Sequence, residues 1–375
     1  MKSIIYPINN LFLLDDAKKL IGFASDKILG FNIQNTKIEI NLQDDANEEL
    51  VIANLDKLLH NKYTEKSNET IFTNTTDKKY YPFADLKKSS LLYEFGNGLY
   101  GFNRQAAFLF RYFEETFRYL ALSFDAVEKQ YPVLLPIEAY QKTGYLKNSP
   151  QYAIFCSPAK ENINELEGLS KQVAPDKLGQ PSEALSPAAC LHSYAEYENC
   201  VLESQSTITF LQNVFRNEGR FNWDEFGRLK DYHVREIVFI GSNNYVAEMR
   251  EKTLQKAIAI LRKLNIISKV IVASDPFVLP EMQKFKKIQL IEKAKYELKI
   301  NYSPDNDLSC ASFNLHGTAF TYPFNISVKG CEETVTGCVG FGIERWVLAF
   351  LCQYGTEIDN WPETIRRAYE NGKCS

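Results

Sequence analysis

Two apolar runs, TITFLQNVFRNEG and HVREIVFIG, flank the polar stretch RFNWDEFGRLKDY, and no other part of the chain restricts the fold as much. Runs rich in β-branched and aromatic residues on either side of such an interval read as an antiparallel hairpin with a long loop. Side chains alternate along a strand, so Arg216 and Glu218, two positions apart, share a face. Arg235 and Glu236 are adjacent on the returning strand and point to opposite faces. One of the two therefore joins Arg216.

The rest of the chain fits around a sheet built on that hairpin. From Arg104, RQAAFLFRYFEETFRYLAL repeats apolar residues at helical spacing and leads into an extended segment, YPVLLP. KTLQKAIAILRKL reads as an amphipathic helix, and KVIVAS, YELKINYS, CASFN and FNISVK read as strands. Mostly antiparallel strands with helices around them make an α+β fold. A chain of 375 residues, 45% hydrophobic and 13% aromatic, suffices for one large domain and an appendage. The appendage is residues 1–85, a small α/β accessory piece with TKIEINL as a strand and LVIANLDKLLH as a helix, closed by a polar linker, TEKSNETIFTNTTDKK. Residues 86–375 form the main domain.

Near the C-terminal end, GCVGFGIERW places a G-x-G turn ahead of a helical run. A dinucleotide fingerprint needs a third glycine where Arg345 stands, and no G-x-x-x-x-G-K-[ST] occurs, so neither a Rossmann nor a P-loop site is expected. The planar fork of Arg345 suits an anionic group instead. With Arg216 it makes two cationic arms for a triphosphate laid across an open sheet.

Charge and cysteine usage narrow the partners. A net charge of −4 gives no basic surplus for a large nucleic-acid surface. The N-terminus lacks a complete signal-type apolar segment, and no run approaches a membrane span, so a cytoplasmic protein is expected. The eight cysteines are scattered with no C-x-x-C pair, which argues against a disulfide framework.

The same residues carry a resemblance. FRNEG with its loop and VREIVFIG looks like motif 2 of class II aminoacyl-tRNA synthetases, GFGIER like motif 3, and the long helix into YPVLLP like motif 1. LSPAACLHSY, SDPF, CASFNLHG and TGCVGFGIERW are more narrowly similar to amino acid:[carrier protein] ligases, zinc-dependent relatives of atypical archaeal seryl-tRNA synthetases. The resemblance implies a class II synthetase-like antiparallel sheet flanked by helices. It implies one Zn²⁺ per chain held by Cys190, Glu236 and Cys338, with a fourth position open for the amino group of a small amino acid. Cys310 is the competing cysteine. Arg216 is expected on the α-phosphate of ATP and Arg345 on the γ-phosphate side. Glu218 and Arg228 are expected at the nucleotide, Ser312 and Asn314 on the active-site sheet, and Mg²⁺ with ATP. The family often places a metal-binding Glu on the strand before S-x-N, and the nearest acids upstream here are Asp305 and Asp307. His192, His233 and His316 are read as structural, because attack of a carboxylate on phosphorus needs positioning and charge stabilisation rather than a base.

The resemblance implies formation of an aminoacyl-adenylate, with glycine or alanine favoured, and its transfer to the phosphopantetheine thiol of an acidic carrier protein. Lys284, Lys286, Lys287, Lys293 and Lys295 offer such a protein a basic segment. With no anticodon-binding domain evident, tRNA is not the expected partner. The alternatives are a seryl-tRNA synthetase-like charging enzyme and a catalytically silent paralogue. A homodimer through motif 1 is expected, as across this superfamily.

Overall fold

A computed structural model of the chain describes residues 2–8, 14–34, 36–59, 69–223, 226–275 and 277–372. The hairpin is its centre. Strand Ser206–Phe215 pairs antiparallel with Asp231–Gly241, Phe215 opposite Asp231 and Ser206 opposite Ile240. The sheet grows outward to eight strands in the order Thr70–Asn74, Ser268–Val272, Lys295–Asn301, Asp307–Gly317, Val335–Gly342, Asp231–Gly241, Ser206–Phe215, Val127–Glu128. Every neighbouring pair is antiparallel except the last, where Val127–Glu128 runs parallel to its partner.

Three helices, Arg104–Leu122, Asn243–Lys263 and Ile343–Tyr354, pack on one face of this sheet. The first presents Phe113 and Phe117, whose rings meet Trp346, Phe350 and Phe341, the Phe117–Phe341 pair stacked at 4.2 Å between centroids. Leu109, Leu120 and Ala121 complete that buried stripe at helical spacing. Alternation then decides what each strand residue faces. Arg235 points to the helices, where it is buried and ion-paired with Glu114 and Glu128. Its neighbour Glu236 points to the opposite face, away from these three helices, and it is Glu236 that shares a face with Arg216.

Some expectations change. TIFTN, within the stretch read as a linker, is the edge strand Thr70–Asn74, because its β-branched and aromatic residues add to Ser268–Val272. Residues 64–68 of that stretch lie outside the described residues. YPVLLP gives only Leu134–Pro136, in a separate three-stranded sheet with Glu183–Leu185 and Ile154–Cys156. FNISVK gives only Ser327–Val328, paired with Val201–Leu202.

The N-terminal unit has a core of its own. Strands Lys2–Pro7 and Ile28–Gln34 flank Lys37–Leu42 in an antiparallel sheet, with helices Leu14–Leu20 and Glu48–Leu59 beside it. Tyr6, Ile38, Ile40, Val51 and Leu55 are buried there. Among the described residues, no helix is long and apolar enough to cross a membrane, and the described cysteines are free thiols.

Candidate active site

The opposite face of the sheet floors a cleft of about 930 Å³, lined also by Phe285, Ile288 and Gln289 of helix Gln283–Ile291. Its floor follows from register. Glu236 lies opposite Gly340, Ser312 opposite Gly340 on the other side, Asn314 opposite Cys338, and Glu297 and Lys295 opposite Ser312 and Asn314. Residues directly opposite on paired strands share a face, so these side chains from four strands converge.

Cys190 comes from outside the sheet, just ahead of the short helix Leu191–Glu196. One ligand atom from each of Cys190, Glu236 and Cys338 lies within 4.8 Å of the others, and all three residues are buried. Gly340 makes room for this group, since a Cβ there would stand 2.6 Å from Glu236 Oε2. Burial pushes the Glu236 carboxyl up to about 7, although Cys338 and Arg216 pull it down. The hydrogen bond with Cys190, then burial, pushes the Cys338 thiol well above its ordinary value. Two sulfurs and a carboxylate buried within reach of one another are the donor set of a thiophilic divalent cation, which would offset the cost of charging the Cys338 thiol and the Glu236 carboxyl. Cys310 is outside the group. Its buried thiol donates to Leu308 O and is pushed up to about 12.

Arg216 and Arg345 both lie near Tyr232, their guanidinium carbons 6.0 and 5.0 Å from its ring centre. Arg216 Nε donates to Pro187 O at 3.0 Å and Arg345 Nη1 to Ser309 O at 3.1 Å. Among the described residues neither has an ion-pair partner, in contrast to Arg235 in the helical layer. Arg228 and Glu218, both at the cleft, are ion-paired with each other across the hairpin loop. Ser312 accepts from Asn314 Nδ2 at 3.1 Å, and the same amide lies 3.5 Å from Cys338 Sγ.

Sequence reasoning missed a network beside this group. Lys295 Nζ lies 2.7 Å from Asp275 Oδ1 and 3.3 Å from Glu297 Oε1, while Gln289 holds Asp275 through its side chain and backbone N–H. Lys295 is thus a strand residue in the cleft and not part of a surface basic segment, and Lys293 pairs with Glu69. The alternation in KYELKIN was visible, but a polar strand face looks the same whether it meets solvent or a cleft. Asp307 is held by Lys269 and Lys299, whereas Glu297 accepts from Ser309 Oγ at 2.5 Å on the cleft floor. His192 bonds Leu134 O, and His233 bonds Glu344. His316 sits closer to the chemistry, with Nε2 3.6 Å from Cys338 Sγ and Nδ1 3.1 Å from Thr336 Oγ1.

No protein-family profile matches the chain. It is 31% identical over 258 residues to the type-2 serine–tRNA ligase of Methanocaldococcus jannaschii, covering 63% of this chain and 49% of that one. The type-2 serine–tRNA ligase of Methanococcus aeolicus is 29% identical over 296 residues, 72% of this chain and 55% of the relative. Among solved structures, M. kandleri SerRS in complex with A. aeolicus tRNASec superposes with a TM-score of 0.72 at 19% identity, covering all of this chain and 78% of that one.

These matches overturn two expectations. The relatives are named as tRNA-charging enzymes, against an amino acid:[carrier protein] ligase. The M. kandleri enzyme was solved with a tRNA, against tRNA as an unexpected partner and an acidic carrier protein as the acceptor. The physical reason is that the quoted motifs serve activation, which does not depend on the acceptor. A net charge of −4 averages over a surface on which nucleic acid needs only a local patch. The chain spans about half the length of the curated relatives it matches; those homologues are type-2 serine–tRNA ligases, and its fold is that of the class II synthetases.

Proposed function

We propose that this chain activates an amino acid with ATP and transfers it to tRNA, in the manner of a seryl-tRNA synthetase. The observation that carries the reading is the pair of arginines without ion-pair partners among the described residues, Arg216 and Arg345, both near Tyr232 beside a buried Cys–Glu–Cys group. Arg216 is positioned to draw charge off the α-phosphate as a substrate carboxylate attacks it, and Arg345 to hold the departing pyrophosphate. Neither step needs a protein base, and the hydrogen bonds of His192 and His233 leave both histidines in structural work. Cys190, Glu236 and Cys338 would hold a divalent ion such as Zn²⁺, which supplies Lewis-acid coordination for an amine. Glu297, beside Ser309 on the cleft floor, is the acid placed to bind Mg²⁺ carried by ATP.

The relatives make serine the first substrate to test. The experiment is ATP–pyrophosphate exchange with each amino acid on zinc-loaded protein, followed by charging of total tRNA with the one that exchanges. Exchange with serine and acid-precipitable seryl-tRNA are expected. No exchange with any amino acid would reject the reading.

A further inference from the structure

The loop that carries Glu218 and Arg228 does not end in solvent. Phe221 packs against the core of the N-terminal unit, edge to face with Phe31 at 5.5 Å between centroids. Gly22 permits this, because a Cβ there would lie 3.0 Å from the Phe221 ring. On the other side Gly219, at φ +86°, brings the loop backbone against Phe23, whose ring would stand 2.9 Å from a Cβ. Arg220 donates to Ser25 O and Asp26 O, both at 2.8 Å. Asn222 Nδ2 bridges the two units, donating to Lys19 O at 3.2 Å and to Glu218 O at 2.6 Å. The N-terminal core also holds Val278, next to the cleft-lining Phe277, and the unit contributes Lys19 to the lining itself.

We propose that the N-terminal unit is a clamp acting within the chain: through residues 219–222 it holds Glu218, and with it the Glu218–Arg228 ion pair, in the form that receives a nucleoside triphosphate, with Phe221 as the positioning residue. The inference rests on reading the cleft as an ATP site. A loop that samples many conformations binds with an affinity reduced by the fraction of time it is competent. Burying Phe221 and tying Arg220 and Asn222 to carbonyls removes that loss before the nucleotide arrives. The effect belongs to nucleotide affinity and not to the chemical step, since Arg216 and Arg345 are anchored elsewhere, on Pro187 O and Ser309 O.

The test uses the full chain as wild type, Phe221→Ala, Phe221→Leu and Arg220→Ala, with Ile5→Ser as a control on a residue 67% exposed in the N-terminal sheet. Mg·ATP affinity is measured by calorimetry, and amide exchange is followed across residues 216–231. The clamp predicts that Phe221→Ala weakens ATP binding by about tenfold or more and speeds exchange in the loop. Phe221→Leu should recover most of both, Arg220→Ala should fall between, and zinc content and the rate at saturating ATP should hold. Wild-type affinity and unchanged loop exchange in Phe221→Ala and Arg220→Ala, or tighter binding in either, overturns the clamp. If the wild type binds no ATP, the reading of the cleft fails. Loop exchange then decides the clamp alone, unchanged exchange rejecting it and faster exchange upholding it as an anchor of the loop.

Discussion

At the scale of single residues, the Cys190, Glu236 and Cys338 group is where chemistry and geometry agree most closely. Cys190, Glu236 and Cys338 converge from a helix start and two strands, while Cys310, equally buried, turns its thiol to a backbone carbonyl. Removing either clustered thiol leaves two donors, too few for a tight site, so Cys190→Ala and Cys338→Ala should each lose zinc affinity by more than about 100-fold, beyond the range of second-sphere changes. Cys310→Ala should keep its metal. Metal content of the three purified variants by emission spectroscopy checks this, and retained zinc in Cys338→Ala would remove it from the ligand set. These residues could be named from sequence through the resemblance of the motifs that carry them to a known family. Lys295, Glu297 and Asp275 could not, because a charged strand residue is ordinary until something roofs it. Register, which depends on residues far apart in the chain, sets Lys295 and Glu297 on the cleft floor, and residues from other elements close over them.

At the scale of elements, the sheet and its helices are tied by charged contacts as well as by aromatic packing. The Glu344 carboxylate, in the first turn of Ile343–Tyr354, accepts from the backbone N–H of His233 at 2.8 Å and meets its Nδ1 at 2.7 Å. Burial pulls the His233 imidazole down, but the hydrogen bond and charge of Glu344 outweigh it and leave the group above its ordinary value. A histidine whose folded value is raised contributes stability that is complete below its unfolded value, about 6.5, and fades as pH rises through the folded value. The imidazole is 35% exposed, so solvent screening keeps the effect within about 1 kcal/mol. Denaturant unfolding of wild type and His233→Gln should therefore differ most near pH 6 and converge at higher pH. A gap that widens with pH would remove the pair from the stability of this joint. Periodicity made both elements legible, yet it said nothing about this link, which joins positions 111 apart in the chain.

At the scale of the molecule, periodicity revealed the long helices and central strands because each repeats its pattern over many residues. The short pieces were lost where two or three residues pair at an edge, as at Val127–Glu128. That edge bears on assembly. The segment from the end of the Arg104–Leu122 helix onward exposes Tyr119, Val127, Val133 and Leu134, between 42% and 54% each. The last main-sheet strand beside it offers only two residues of pairing. A run of exposed apolar side chains next to an open sheet edge is a surface that another protein surface covers. The same segment resembles motif 1, so we propose that a second copy of the chain covers it. Light scattering on purified protein should give twice the chain mass of 43.1 kDa. The double substitution Val127→Lys and Leu134→Asp should shift the mass toward one chain while zinc binding persists, because neither residue touches the cleft. A monomer in the wild type, or a dimer indifferent to both charges, would place the interface elsewhere or nowhere.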